Sequence, residues 1–285
     1  MKKLENLGYY DGKYDLIENM VVPFDERVHY YGDGVYDATC AGNHIIFNLE
    51  EHIERFYNSA GLLNITIPHT KEELKDILNE MVKKVEGEQL FVYWQVTRAV
   101  APRKHEFPDS PARLWIMIRP SKIGDPAMKL KLLTVEDTRF LHCNIKTLNL
   151  IPNVMASQKG AMAGCDEIIF HRGERVTECS HSNVHIIKDG KFITPPADHY
   201  ILPGIARVHL IKMSKNVGIP VDETVFTLKE LMDADEVVVS SSSNFCLSAY
   251  EVDGQKVGGK APELLKKLQD ALMEEYLVAT NQCGE

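Results

Sequence analysis

The stretch Arg119-Pro120-Ser121-Lys122-Ile123-Gly124-Asp125-Pro126 constrains the fold of this chain most. Two prolines and a glycine in a polar setting break any helix or strand that runs into them. Each flank must then bury its own apolar surface. At 285 residues the chain is long enough for two such bodies. The expected division is an N-terminal α/β domain over 1–119, a linker over 120–127 and a C-terminal domain over 128–285.

Helix and strand signals alternate on both sides. From Leu49 to Leu63, the residues Leu49, Ile53, Phe56, Tyr57 and Ala60 form one helical stripe. Thr70-Lys71-Glu72-Glu73 is a capping box that opens a helix with Leu74, Ile77, Leu78, Met81 and Val82 on its apolar side. Thr227-Leu228-Lys229-Glu230 is a second capping box. Further helices are expected at Asn153 to Ala163, Ile205 to Asn216 and Pro262 to Leu277. β-Branched and aromatic runs predict strands at Leu90 to Thr97, Leu114 to Ile118, Leu130 to Val135, Glu167 to His171, Asn183 to Lys188, Phe192 to Thr194 and Glu236 to Ser240. The expected class is mixed α/β (α+β), with no internal repeat.

Composition removes several functions. Lys plus Arg number 32 against 41 Asp plus Glu, a net charge of −9. Such a chain repels nucleic-acid phosphates and anionic membranes. No segment approaches the eighteen or so apolar residues of a membrane span. Met1-Lys2-Lys3-Leu4-Glu5-Asn6 has no apolar run behind its lysines, so no secretory signal is expected. Cys40, Cys143, Cys165, Cys179, Cys246 and Cys283 show no C-x-x-C spacing, which argues against a zinc site and fits reduced thiols in the cytoplasm. P-loop, dinucleotide-binding, zincin and nucleophile-elbow motifs are absent.

Four segments carry chemistry. Lys146 sits in the largely apolar stretch Phe140 to Ile151. A lysine there is either a solvated strand end or an amine made nucleophilic by desolvation. Glu178 precedes small polar residues at a turn. It is either a solvated acid or the carboxylate that a pyridine-type cofactor needs beside its ring nitrogen. Gly204-Ile205-Ala206-Arg207 opens a helix whose free N–H groups favour an anion, and Ser240-Ser241-Ser242-Ser243 offers hydroxyls at the end of an apolar strand. Arg103 and His105, two apart, project to one face if extended and could meet one carboxylate.

These residues occur within a recognisable order. It runs Tyr31-Gly32-Asp33-Gly34-Val35-Tyr36, Glu51-His52-Ile53-Glu54-Arg55, Gln95-Val96-Thr97-Arg98 and Pro102-Arg103-Lys104-His105. Asn144-Ile145-Lys146-Thr147-Leu148-Asn149 and Val176-Thr177-Glu178 with Ser182-Asn183-Val184 complete it. From about Tyr9 to the C-terminal helix the chain resembles the class IV aminotransferases, fold type IV of the pyridoxal-phosphate enzymes, and within them the D-amino-acid branch. The resemblance implies a larger C-terminal domain with a barrel-like sheet. It also implies pyridoxal 5′-phosphate held by Lys146 as a Schiff base, with Glu178 at the ring nitrogen. Arg55, the N–H groups of Ile205 and Ala206, Ser241 and Ser242 would bind the phosphate, and Leu202 would brace the ring. Tyr36, Arg103 and His105 would hold the substrate carboxylate, the last two across a homodimer. The substrates would be D-amino acids and 2-oxo acids. Branched-chain L-aminotransferases, (R)-amine transaminases and aminodeoxychorismate lyases share the lysine and glutamate, and a non-catalytic cofactor-binding dimer is the alternative outside catalysis. Three positions depart from the pattern: Ala206 for a threonine, Asp37 for a glutamate and His181 for a small hydroxyl residue.

Overall fold

The computed structural model describes residues 3–281, so Cys283 lies outside the described residues. The chain divides into two compact units. The first takes in the chain up to Ile123, the short segment Ile145–Asn149 and the chain from Tyr276 onward; the second takes in Gly124–Asn144 and Leu150–Glu275. The Lys146 segment and the end of the last helix, which the sequence reading assigned to the C-terminal domain, thus pack with the first unit.

The first unit contains β1 (Leu7–Tyr10), β2 (Lys13–Asp15), α1 (Val28–Tyr31), β3 (Gly34–Gly42), β4 (Ile45–Ile46), α2 (Leu49–Leu62), α3 (Lys71–Val82), β5 (Gln89–Thr97) and β6 (Arg113–Pro120). Its strands form an antiparallel sheet in the order β2-β1-β6-β5-β3-β4. The period-2 patterns of β5 and β6 decide which face is buried. Leu90, Val92, Trp94, Val96, Leu114, Ile116 and Ile118 all point into one core. Ile53, Phe56 and Ala60 of α2 and Leu74, Leu78, Met81 and Val82 of α3 fill it from the helix side. The Thr70–Glu73 capping box forms as read: the Thr70 hydroxyl accepts from Glu73 N–H, and the Glu73 carboxylate accepts from Thr70 N–H. Pro120 still pairs with Leu90, so β6 runs one residue into the expected linker.

The second unit contains β7 (Lys129–Glu136), α4 (Ile151–Met162), β8 (Glu167–Arg172), β9 (Arg175–Cys179), β10 (Asn183–Lys188) and β11 (Lys191–Thr194). It continues with α5 (Ile205–Asn216), β12 (Val221–Glu223), α6 (Leu228–Met232), β13 (Glu236–Ser240), β14 (Leu247–Val252), β15 (Gln255–Lys256) and α7 (Pro262–Asn281). Its sheet is mixed, in the order β12-β11-β10-β13-β14-β7-β8-β9, with β15 on β14. The sheet curls into a half-barrel. The short connection from β9 to β10 is closed by Cys179 N–H, which donates to Ser182 O at 2.8 Å. All five residues of β13 are buried, its Val237-Val238-Val239 centre as expected for a strand covered on both faces, with Glu236 and Ser240 buried at its ends. Among the described residues, no helix is long and apolar enough to cross a membrane.

His185 lies fully buried in β10, with Nδ1 2.8 Å from Thr194 Oγ1 and Nε2 2.8 Å from Ser240 Oγ. Burial, helped by the Arg207 charge, pushes its pKa down to about 3. An unfolded histidine titrates near 6.5. The folded-state value is therefore depressed, and its contribution to stability is complete above pH 6.5. It is lost as pH falls from there toward 3, because only the unfolded chain takes up the proton. The expected loss is about 1.4 kcal/mol per pH unit. Urea unfolding at pH 7, 6 and 5 should show a shallower dependence for His185→Gln than for the wild type, and parallel curves would contradict this assignment.

Candidate active site

In the first unit the Lys146 segment is held to β3 by the backbone. Tyr36 N–H donates to Lys146 O at 3.0 Å, Leu148 N–H donates to Gly34 O at 3.0 Å, and Lys146 N–H donates to Ser59 Oγ of α2 at 3.2 Å. Gly34 is required here, since a Cβ would stand 2.5 Å from Val96 O and 2.7 Å from Leu148 Cδ1. The Lys146 ammonium lies 4.4 Å from the centre of the Tyr36 ring, which stacks on Tyr93 at 5.4 Å. The structure thus brings Lys146 and Tyr36 together, as two members of the expected set.

Arg55 sits in α2 against a partner that sequence reading did not assign to it. Its Nε donates to Asp37 Oδ2 at 2.9 Å and its Nη2 to Asp37 Oδ1 at 2.7 Å. His52 Nδ1 is 2.7 Å from Asp37 Oδ1. Burial opposes ionisation of Asp37, but Arg55 and His52 outweigh it and hold the carboxyl well below the usual carboxylate range. Burial pushes His52 down, toward its neutral form. The Asp37 carboxylate can only accept, so the neutral imidazole carries its proton on Nδ1. The fork between Arg55 and Asp37 fixes the guanidinium plane on a rigid helix.

Arg103 and His105 share a third spot of this unit. The Arg103 guanidinium carbon is 5.4 Å from the Tyr31 ring centre, and the His105 ring is 5.4 Å from the same ring. Both side chains of the expected pair therefore stand against one aromatic ring.

In the second unit Glu178 is 5 % exposed and crowded with donors. Arg139 Nη1 donates to Oε1 at 2.5 Å; Asn183 Nδ2 at 3.1 Å and Leu202 N–H at 3.0 Å donate to Oε2. Asp137 anchors Arg139 in turn, through Nε at 3.0 Å and Nη2 at 3.0 Å. Burial alone would lower the Arg139 pKa, but Glu178 and Asp137 hold it above the ordinary arginine range. Three donors thus converge on the carboxylate and fix its orientation. Asn183 also donates to Leu202 O at 3.1 Å, so β10 fixes the turn that precedes α5. A Cβ at Gly204 would lie 2.0 Å from Asn183 Oδ1, which is why glycine stands at that helix start.

No side chain caps α5, so the first N–H groups, those of Ile205 and Ala206 included, lack intrahelical acceptors. The serine run divides. Ser240 is buried in β13 and bonded to His185, so it is not available to an anion in the way the four-hydroxyl reading expected. Ser241 Oγ accepts from Asn244 N–H at 3.1 Å and lies 3.5 Å from Ser243 Oγ. His181 Nδ1 lies 2.8 Å from Glu167 Oε2, a buried carboxylate that also accepts from the Ser180 and Ser182 hydroxyls.

The description amino-transferase class IV matches residues 34–252 as a family model. The chain is 39 % identical over 275 residues to a D-alanine aminotransferase of Listeria monocytogenes serotype 4b, covering 94 % of each chain. It is 39 % identical over 254 residues to one of Staphylococcus haemolyticus, covering 87 % of this chain and 90 % of that one. The chain belongs to the class IV aminotransferases.

Solved structures agree on the fold. A branched-chain aminotransferase of Thermoproteus uzoniensis with norvaline superposes at a TM-score of 0.86 with 25 % identity, covering 95 % of this chain and 97 % of that one. The branched-chain amino acid aminotransferase of Escherichia coli gives 0.87 at 22 % identity, covering 97 % and 96 %. This aminotransferase works with pyridoxal 5′-phosphate. Its residues fit that group. An amine on a fixed backbone, a buried carboxylate and an uncapped helix start are what the aldehyde, the ring nitrogen and the phosphate each demand. Sequence reasoning missed Arg139, Asp137, and the links from His52 and Asp37 to Arg55. A signal existed for one pair: Asp137 and Arg139, two apart after a strand, share a face.

Proposed function

We propose that this enzyme exchanges the amino group of a D-amino acid such as D-alanine with a 2-oxo acid such as 2-oxoglutarate. The observation that carries the reading is the placement of Arg103 and His105 against one Tyr31 ring. The D-alanine aminotransferases it resembles over most of its length support it. In this reading Lys146 Nζ would be the amine that holds the cofactor and the group that would carry the substrate Cα proton. Glu178, oriented by Arg139, Asn183 and Leu202, would accept from the ring nitrogen. Arg55, Ile205, Ala206, Ser241 and Ser242 bind the phosphate, and Leu202 braces the ring. Tyr36, Arg103 and His105 orient the substrate carboxylate. When bound, the cofactor supplies the electron sink for the carbon that loses its proton. A homodimer in the cytoplasm belongs to the same proposal.

The test is the initial rate with D- or L-alanine and 2-oxoglutarate. D-Alanine should be preferred, with double-displacement kinetics. Arg103→Ala should lower kcat/KM for D-alanine about 10- to 100-fold, the loss of one charge-assisted pair. Faster turnover of L-alanine would move the enzyme to the branched-chain type, whose solved structures share its fold.

A further inference from the structure

We propose that Tyr31, backed by the Arg27–Asp33 pair, is the positioning residue that sets Arg103 and His105 for a substrate carboxylate. This rests on the reading that those two residues bind that carboxylate.

The loop that carries them has no regular structure between β5 and β6, and Arg103, Lys104 and His105 are exposed. An exposed arginine has about 2 kcal/mol of rotamer freedom to lose, so a loop of this kind recognises little unless something holds it. Two devices do so here.

The first acts on the backbone. Arg27 is 3 % exposed. Its Nε donates to Asp33 Oδ2 at 2.8 Å, and its Nη1 donates to Lys104 O at 2.6 Å and to Glu106 O at 3.4 Å. Those two carbonyls flank His105. Asp33 is steadied by Arg98, whose Nε lies 3.0 Å from its carboxylate oxygens and whose guanidinium carbon is 3.6 Å from the Phe107 ring centre. Both ends of the short segment 104–107 are thus tied to one carboxylate, whose side chain is 12 % exposed.

The second device acts on the side chains. The Tyr31 ring meets Arg27 at 4.9 Å, Arg103 at 5.4 Å and His105 at 5.4 Å with an interplanar angle of 45°. Tyr31 ends α1, and Gly32 at φ +60° turns the chain into β3. Asn149 Nδ2 donates to Gly32 O at 3.0 Å, so the turn beneath the ring is tied to the Lys146 segment. The Tyr31 hydroxyl is buried and has no hydrogen-bond partner among the described residues. The ring face, not the hydroxyl, does the positioning.

The experiment compares Tyr31→Leu, Tyr31→Phe, Arg27→Lys and Arg103→Ala in the holoenzyme. Maleate, an unreactive dicarboxylate, is titrated calorimetrically to give a Kd, and KM and kcat are measured for D-alanine. Trypsin cleavage after Arg103 and Lys104 reports on the loop in the same holoenzymes. Tyr31→Leu should raise the maleate Kd and the D-alanine KM about three- to thirty-fold, the range of a cation–π platform, with the change falling on KM rather than kcat. Tyr31→Phe should recover most of that loss. Arg27→Lys keeps the charge but loses the fork, and should speed trypsin cleavage of the loop. Unchanged maleate binding in Tyr31→Leu, with weakened binding in Arg103→Ala, would overturn the role of Tyr31 alone. Tyr31→Phe as damaging as Tyr31→Leu would also overturn it, by assigning the effect to the hydroxyl. Unchanged binding in Arg103→Ala would remove the carboxylate reading of the loop and this inference together.

Discussion

Lys146→Ala should lower kcat by on the order of 10⁴-fold, the upper range of what one positioned acid–base group supplies. The purified protein with added pyridoxal phosphate should also lose the visible band of lysine-bound cofactor. The structure explains why the loss should be chemical. The segment is fixed through main-chain bonds to Tyr36 and Gly34 and through Ser59, none of which involves the lysine side chain. Cutting that side chain back leaves the backbone in register with β3. Stability of the cofactor-free chain should therefore change by less than about 1 kcal/mol, as for a side chain outside the core. Lys146→Arg sharpens the test. It keeps a cation against the Tyr36 ring but has no amine able to form the covalent link. If Lys146→Arg kept even a tenth of the wild-type rate, charge alone would suffice and Lys146 would lose its assigned role.

Much of the frame is local and therefore legible. The Thr70 and Thr227 boxes cap their helices because their partner acids stand three residues away. β5 and β6 announce themselves through alternation, which one buried face imposes. β3 does not, because Asp37 and Thr39 stand buried within it. A buried carboxylate reads as a surface residue until its partners are known, and His52 and Arg55 lie on the next helix. The four-serine run shows the same limit: only the fold reveals that Ser240 faces His185. Lys146 and Glu178 were legible as residue types in a pattern. Their supports were not, since Arg139 and Glu178 are 39 residues apart and nothing local links them.

Arg139→Met should destabilise the protein by about 3–5 kcal/mol, the usual result of removing one partner from a buried charge network. Side chains of Arg139 and Glu178 are each 7 % exposed and that of Asp137 is 0 %, so water cannot replace the lost guanidinium. The lower end of the range is expected. Arg172 still reaches Asp137 at 3.2 Å, and Glu178 keeps Asn183 and the Leu202 N–H. The functional effect should exceed what unfolding explains, because Asn183 and Leu202 both donate to Oε2 and leave Oε1 without its guanidinium. Denaturant titration of the cofactor-free chain gives the stability term. The pH dependence of the bound cofactor's absorbance gives the electronic one, since it reports whether the ring nitrogen keeps its carboxylate. The double change Arg139→Met with Glu178→Leu separates the two. Removing both charges should restore part of the stability, since Glu178 no longer lacks a partner while Asp137 keeps only Arg172, and activity stays lost. If Arg139→Met were as stable as the wild type with an unaltered spectrum, the Arg139–Glu178 contact would be incidental to the site.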